Sequence, residues 1–188
     1  MKPDQLTGRK LGEGATVASE ASAYDVYSRS YDALYRKEQE AKLKAALRVG
    51  WSTGDRLVDF GCGTALLTNS LARGCDMVVG LDVSEGMLER AKRRTRVDLV
   101  LADAAFVPFR NSAFTAGCCF TSFHNFRMKK KAIDGMVASV HEGGSMLFSL
   151  LARGRSSKDE RQVTSERGLE VRVKVQVGND LLVIARRL

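Results

Sequence analysis

The stretch that most constrains this chain runs from Val58 to Ala65 and reads Val-Asp-Phe-Gly-Cys-Gly-Thr-Ala. An apolar run with one acidic residue, closed by two glycines and followed by helix-compatible residues, predicts a buried strand that turns through a glycine loop straight into a helix. Glycines at such a turn let a ligand approach the backbone closely. Gly61-Cys62-Gly63 shares this feature with the GxGxxG dinucleotide fingerprint, but Leu66 stands where the third glycine would be, and Asp59 lies two residues before Gly61. A carboxylate there repels a pyrophosphate and attracts an ammonium group. The loop therefore points to an amino-acid-like ligand rather than a dinucleotide.

The rest of the chain repeats the strand-to-helix pattern. Apolar runs predict strands over 56–60, 77–83, 97–102, 113–121 and 145–151, with helices over 64–73, 84–94 and 128–140. Runs apolar on both faces, such as Val78-Val79-Gly80-Leu81, suit a sheet covered on both sides. Pro108 and Asn111-Ser112 leave no room for a full helix between the third and fourth strands. Residues 169–177 alternate strictly and turn through Gly178-Asn179-Asp180 into 181–185, a hairpin with one wet face. A helix of three turns at most fits within 156–168. Over 30–49, Tyr31, Leu34, Tyr35, Ala41, Ala45 and Val49 form an apolar stripe, with Lys42 among the residues counted on the solvent side. The expected fold is α/β: a doubly wound, mostly parallel sheet with helices on both faces and a C-terminal antiparallel hairpin. Residues 1–19 read as a flexible arm and 20–188 as a single domain.

Composition narrows the function. No apolar run approaches the ~20 residues of a membrane helix, and the first 14 residues are too charged for a secretory signal, so a soluble cytoplasmic protein is expected. The four cysteines form no CxxC pair, so neither disulfides nor zinc are expected. A formal net charge of +8 admits nucleic acid or another acidic partner.

Two further carboxylates complete the pattern. Asp82 ends the second strand, where it can take both ribose hydroxyls. Asp103 ends the third, where it can accept from an adenine amino group while the Ala104 N–H serves a ring nitrogen. Three carboxylates at three successive strand ends describe a ligand made of amino acid, ribose and adenine, which is S-adenosylmethionine. At these residues the chain resembles the class I S-adenosylmethionine-dependent methyltransferases of the quinone-biosynthesis type. Val58-Asp-Phe-Gly-Cys-Gly-Thr64 resembles their glycine motif, Leu81-Asp82-Val-Ser84 their acidic second strand, residues 102–109 their adenine loop, and Glu142-Gly143-Gly144 the turn into their fifth strand. The chain departs from the pattern at Ala65, where many members have glycine, and in its short 156–168 connection.

The resemblance implies roles for matching positions. Asp59, Gly61, Cys62 and Gly63 would hold the methionine moiety, Asp82 the ribose, Val83 and Met87 the adenine face, Asp103 and Ala104 its edge. Thr121 would lie beside the sulfonium, and Tyr31 would close over the cofactor. His124, at the catalytic edge, is the candidate base; His141 belongs to the opposite edge. Arg90, Lys92, Arg93, Arg94 and Arg96 close the second helix, where cations suit the helix dipole and solvent. Lys129, Lys130 and Lys131 instead open a helix, against the dipole, and with Arg127, Arg153 and Arg155 would form a basic rim. The rim favours RNA or another acidic macromolecule as methyl acceptor. The alternatives are a small-molecule, quinone-type methyltransferase and a non-catalytic module that only binds the cofactor.

Overall fold

The computed structural model describes residues 35–152, 156–166 and 168–188. The expected arm at 1–19, Tyr31, Arg153 and Arg155 lie outside the described residues. The apolar runs become seven strands: β1 Arg56–Phe60, β2 Met77–Asp82, β3 Asp98–Leu101, β4 Phe114–Phe120, β5 Val140–Leu151, β6 Leu169–Val177 and β7 Asp180–Arg187. They form one sheet in the order β3-β2-β1-β4-β5-β7-β6. The first five are parallel, and β7 pairs antiparallel with both β5 and β6. The order reverses between β1 and β4, so their carboxyl ends flank the point at which a doubly wound sheet opens a crevice. Because β7 runs the other way, it begins at this same edge, with Asp180.

Alternation along the strands divides the core between two faces. Val58, Phe60, Cys119 and Phe148 pack with Ile133, Met136 and Val137 of helix α4 (Lys129–Ser139) and with Val163 of helix α5 (Ser156–Thr164). Leu57, Cys118 and Leu147 face the other way, onto Leu43 and Ala46 of helix α1 (35–48) and Leu71 of helix α2 (Thr68–Leu71). Helix α3, Glu85–Lys92, buries Met87, Leu88 and Ala91 and is capped by Ser84, whose side chain accepts from the Met87 N–H.

Three elements depart from the expected pattern. Helix α2 is one turn rather than ten residues, since Ala65 is left-handed (φ 54°) and no side chain caps the start; a 3-10 turn at Ala72–Gly74 finishes the segment. Strand β5 starts five residues early, because Val140 already pairs with Phe114 ahead of a register shift. On α1 the buried side is Gln39, Lys42, Leu43 and Ala46, whereas Ala41 is exposed, so the stripe was placed one position out.

Candidate functional site

The glycine loop is held in shape by its neighbours. Gly61 (φ 74°) and Gly63 (φ 56°) are both left-handed, and the N–H groups of Gly61 and Cys62 donate to the Leu81 carbonyl at 2.7 and 3.0 Å. A Cβ on Gly61 would fall 2.5 Å from Ser122 Cβ, so only glycine fits against the end of β4. Ser122 secures that contact by donating its hydroxyl to the Gly61 carbonyl at 2.9 Å. Cys62 packs over β2, where a Cβ on Gly80 would meet its Sγ at 2.8 Å. Arg94, expected to be a solvated helix end, reaches back to donate to the Thr64 carbonyl and hydroxyl at 3.1 and 3.0 Å.

Asp59 sits beneath this loop and is buried. Its Oδ2 accepts from the Thr68 hydroxyl at 2.7 Å, while Oδ1 is buried without a hydrogen-bond partner. Burial pushes its pKa up to about 6, against the opposing effects of Thr68 and the weak thiol donor Cys118. An orphaned buried carboxylate oxygen is the kind of group a ligand ammonium satisfies.

The other two carboxylates serve the backbone as well. Asp82 accepts from the Gly63 N–H at 2.8 Å (Oδ2) and from the Ser84 N–H at 2.9 Å (Oδ1), locking the glycine loop to the end of β2. Asp103 accepts from the Ala105 N–H at 2.8 Å and starts a 3-10 turn over Ala104–Phe106. Each carboxylate oxygen has capacity for more than one donor, so these bonds leave room for ribose and adenine contacts. Val83 is exposed beside Asp82, whereas Met87 is buried on the inner side of α3.

The end of β4 holds a polar cluster that sequence reasoning missed. Thr121 is left-handed (φ 52°), which for a β-branched residue costs of order 1–3 kcal/mol. Its hydroxyl accepts from Lys42 Nζ at 2.8 Å and donates to Asp180 Oδ2 at 3.0 Å, with Gln39 Nε2 at 3.4 Å. Lys42 Nζ also lies 2.7 Å from Asp180 Oδ2, and Ser149 donates to that same oxygen at 2.6 Å. Lys42 and Asp180 are fully buried, and Asp180 Oδ1 and Gln39 Oε1 lack hydrogen-bond partners. From the sequence pattern Lys42 reads as a solvent-facing charge and Asp180 as a turn residue. The available signal is Leu43 and Ala46, apolar residues one and four positions after Lys42 on α1.

His124 follows on a 3-10 turn at Phe123–Asn125. Its Nδ1 is buried without a partner, and burial, followed by the charge of Lys129, holds its pKa below the ordinary value. Both effects favour the neutral imidazole. Each of the neighbouring lysines has a partner, but Lys130 and Lys131 remain exposed to solvent. Lys129 Nζ lies 2.6 Å from the buried Asp159, Lys130 pairs with Asp134 and Glu166, and Lys131 sits 3.3 Å from the centroid of the exposed Phe106 ring. Arg127 is exposed. Among the described residues, no three His, Cys, Asp or Glu side chains gather into a metal-binding group.

Residues 57–144 match the family described as methyltransferase domain. Over these residues the chain carries a methyltransferase domain, in a sheet of the class I methyltransferase order. The chain is 32% identical over 149 residues to a demethylmenaquinone methyltransferase of Clavibacter sepedonicus, covering 74% of this chain and 58% of the relative. It is 30% identical over 128 residues to an uncharacterized protein of Methanocaldococcus jannaschii, covering 68% and 49%. The chain thus spans about half the length of the curated relatives it matches. An S-adenosylmethionine-dependent methyltransferase of Aquifex aeolicus shares the fold, with a TM-score of 0.74 over 87% of this chain and 98% of that one at 16% identity. The family's methyl donor, S-adenosylmethionine, fits the glycine edge through the orphaned Asp59 oxygen and the close approach allowed at Gly61 and Gly63.

Proposed function

We propose that this methyltransferase moves the methyl of S-adenosylmethionine to a small-molecule acceptor of the quinol type. The observation that carries the choice of acceptor is the state of the lysines at the start of α4: Lys129 and Lys130 are ion-paired and Lys131 covers an aromatic ring. Lys129, held by the buried Asp159, is the one drawn away from solvent, which reduces the set of free cations that RNA phosphates could meet. The acidic-macromolecule reading keeps only the exposed Arg127, Lys130 and Lys131 among the described rim residues. Phe126, half-buried, packs edge-on to the core residue Phe123 next to the turn that carries His124 and is the apolar side chain there within reach of an acceptor. The demethylmenaquinone methyltransferases among the relatives agree with an aromatic acceptor.

When bound, S-adenosylmethionine supplies an electrophilic methyl on a sulfonium, open to in-line displacement. In this reading Asp59 takes the ligand ammonium, the backbone of Gly61, Cys62 and Gly63 lies along the methionine moiety, and Asp82 accepts from the ribose hydroxyls. Val83 and Met87 lie on the adenine side, Asp103 and Ala104 take the adenine edge, and Thr121 borders the sulfonium. His124 takes the acceptor's proton. Most of the catalysis comes from alignment of the two reactants.

The test is transfer of tritiated methyl from S-adenosylmethionine to reduced demethylmenaquinone, total RNA and total protein in parallel. Label in the quinol fraction supports this reading. Label in RNA alone overturns it in favour of the macromolecular acceptor, and cofactor binding without transfer to any fraction leaves the protein a binding module.

A further inference from the structure

The buried cluster at the end of β4 does more than fill space. A left-handed, β-branched Thr121 persists only where its surroundings hold it. Its surroundings come from three elements distant in the chain. Lys42 and Gln39 reach it from α1, Ser149 from β5 (its carbonyl accepting the Thr121 N–H at 3.2 Å), and Asp180 from the start of β7. The next residue, Ser122, is the one that bonds the Gly61 carbonyl and lies too close to Gly61 for any side chain there. The turn at Thr121 thus sets where Ser122 meets the glycine loop.

We propose that Lys42 and Asp180 are positioning residues: their buried pair holds Thr121 in its left-handed turn, so that docking of α1 sets the end of β4 against the glycine loop and thereby shapes the cofactor site. The inference rests on the reading that the glycine loop binds S-adenosylmethionine. It gives α1 a task other than covering the sheet. Glu38, 2.7 Å from Lys42 Nζ, belongs to the same assembly and keeps the ammonium between two carboxylates.

Calorimetric titration of the full chain with S-adenosylmethionine tests it. The variant Lys42→Met with Asp180→Asn removes both charges without stranding either. It is expected to bind the cofactor about tenfold more weakly, a coupling of ordinary size between neighbouring sites. Adding Thr121→Gly to that pair is expected to recover most of the loss, because glycine adopts the left-handed turn without being held. If the charge-removed pair does not fold, Thr121→Val and Thr121→Gly replace it: both delete the hydroxyl, only valine keeps the strain, and valine must bind the more weakly. Unchanged affinity in the Lys42→Met, Asp180→Asn protein overturns the proposal. So does a triple variant no better than the double, since a merely structural role would lower the melting temperature without rescue by glycine. A wild-type protein that does not bind S-adenosylmethionine overturns the proposed function and this inference with it, an outcome distinct from wild-type binding with unaffected variants.

Discussion

Lys42 Nζ lies 2.7 Å from Asp180 Oδ2, and neither side chain has appreciable contact with water. A buried pair of this kind is more costly to halve than to delete. Lys42→Met should destabilise the protein by about 3–5 kcal/mol, because it leaves an uncompensated carboxylate in the core. Combining it with Asp180→Asn should recover most of that loss. Urea unfolding of the two variants decides the point.

Asp59 makes stability depend on pH in an unusual direction. Its folded pKa is about 6 against an ordinary 3.8, so the folded state binds the proton more tightly than the unfolded chain. Its contribution is fully present below about pH 4 and lost as pH rises through 6, a change of about 3 kcal/mol across that window. Asp59→Asn should flatten this slope in melting temperature against pH. If a ligand ammonium meets the carboxylate, cofactor binding near pH 5.5 should also release protons, visible as a buffer-dependent binding enthalpy.

Gly61 tests the packing of the loop. Alanine there combines a left-handed φ with a Cβ 2.5 Å from Ser122 Cβ. Gly61→Ala should cost about 2–4 kcal/mol, part of it overpacking and part backbone strain. Adding Ser122→Gly should relieve only the overpacking, and thermal unfolding of the single and double variants separates the two.

Lys129 and Lys130 are adjacent but should behave differently. Lys129 compensates Asp159, which is 4% exposed, whereas the Lys130 partner Asp134 is half in water. Lys129→Met should destabilise by about 1–3 kcal/mol and loosen α5, while Lys130→Met should stay within about 0.5 kcal/mol. Denaturant midpoints check both.

Much of the fold was legible because the strands of a sheet covered on both faces are near-continuous apolar runs, as at Val78–Leu81, and because glycine marks the tightest turn. Asp82 is the last residue of β2, as the pattern predicts, while Asp59 lies one residue inside the end of β1 and Asp103 two residues past β3. What escaped depends on partners remote in the chain. Lys42 reads as solvated until Asp180 is folded against it, and Asp180 reads as a turn residue until β7 is seen to start in the core. The rim lysines read as free cations because Asp159 and Glu166 lie across a connection whose path the pattern does not show. The early start of β5 required a register shift at Phe114 that leaves no mark in hydrophobicity.

The account stands most directly on whether the glycine edge binds S-adenosylmethionine. Calorimetric titration of the wild-type chain and of Asp82→Ala measures this. The prediction is saturable one-to-one binding by the wild type, much weakened in Asp82→Ala, which loses the proposed ribose acceptor and the bond to the Gly63 N–H. Absence of binding by the folded wild type, or equal binding by both proteins, contradicts it.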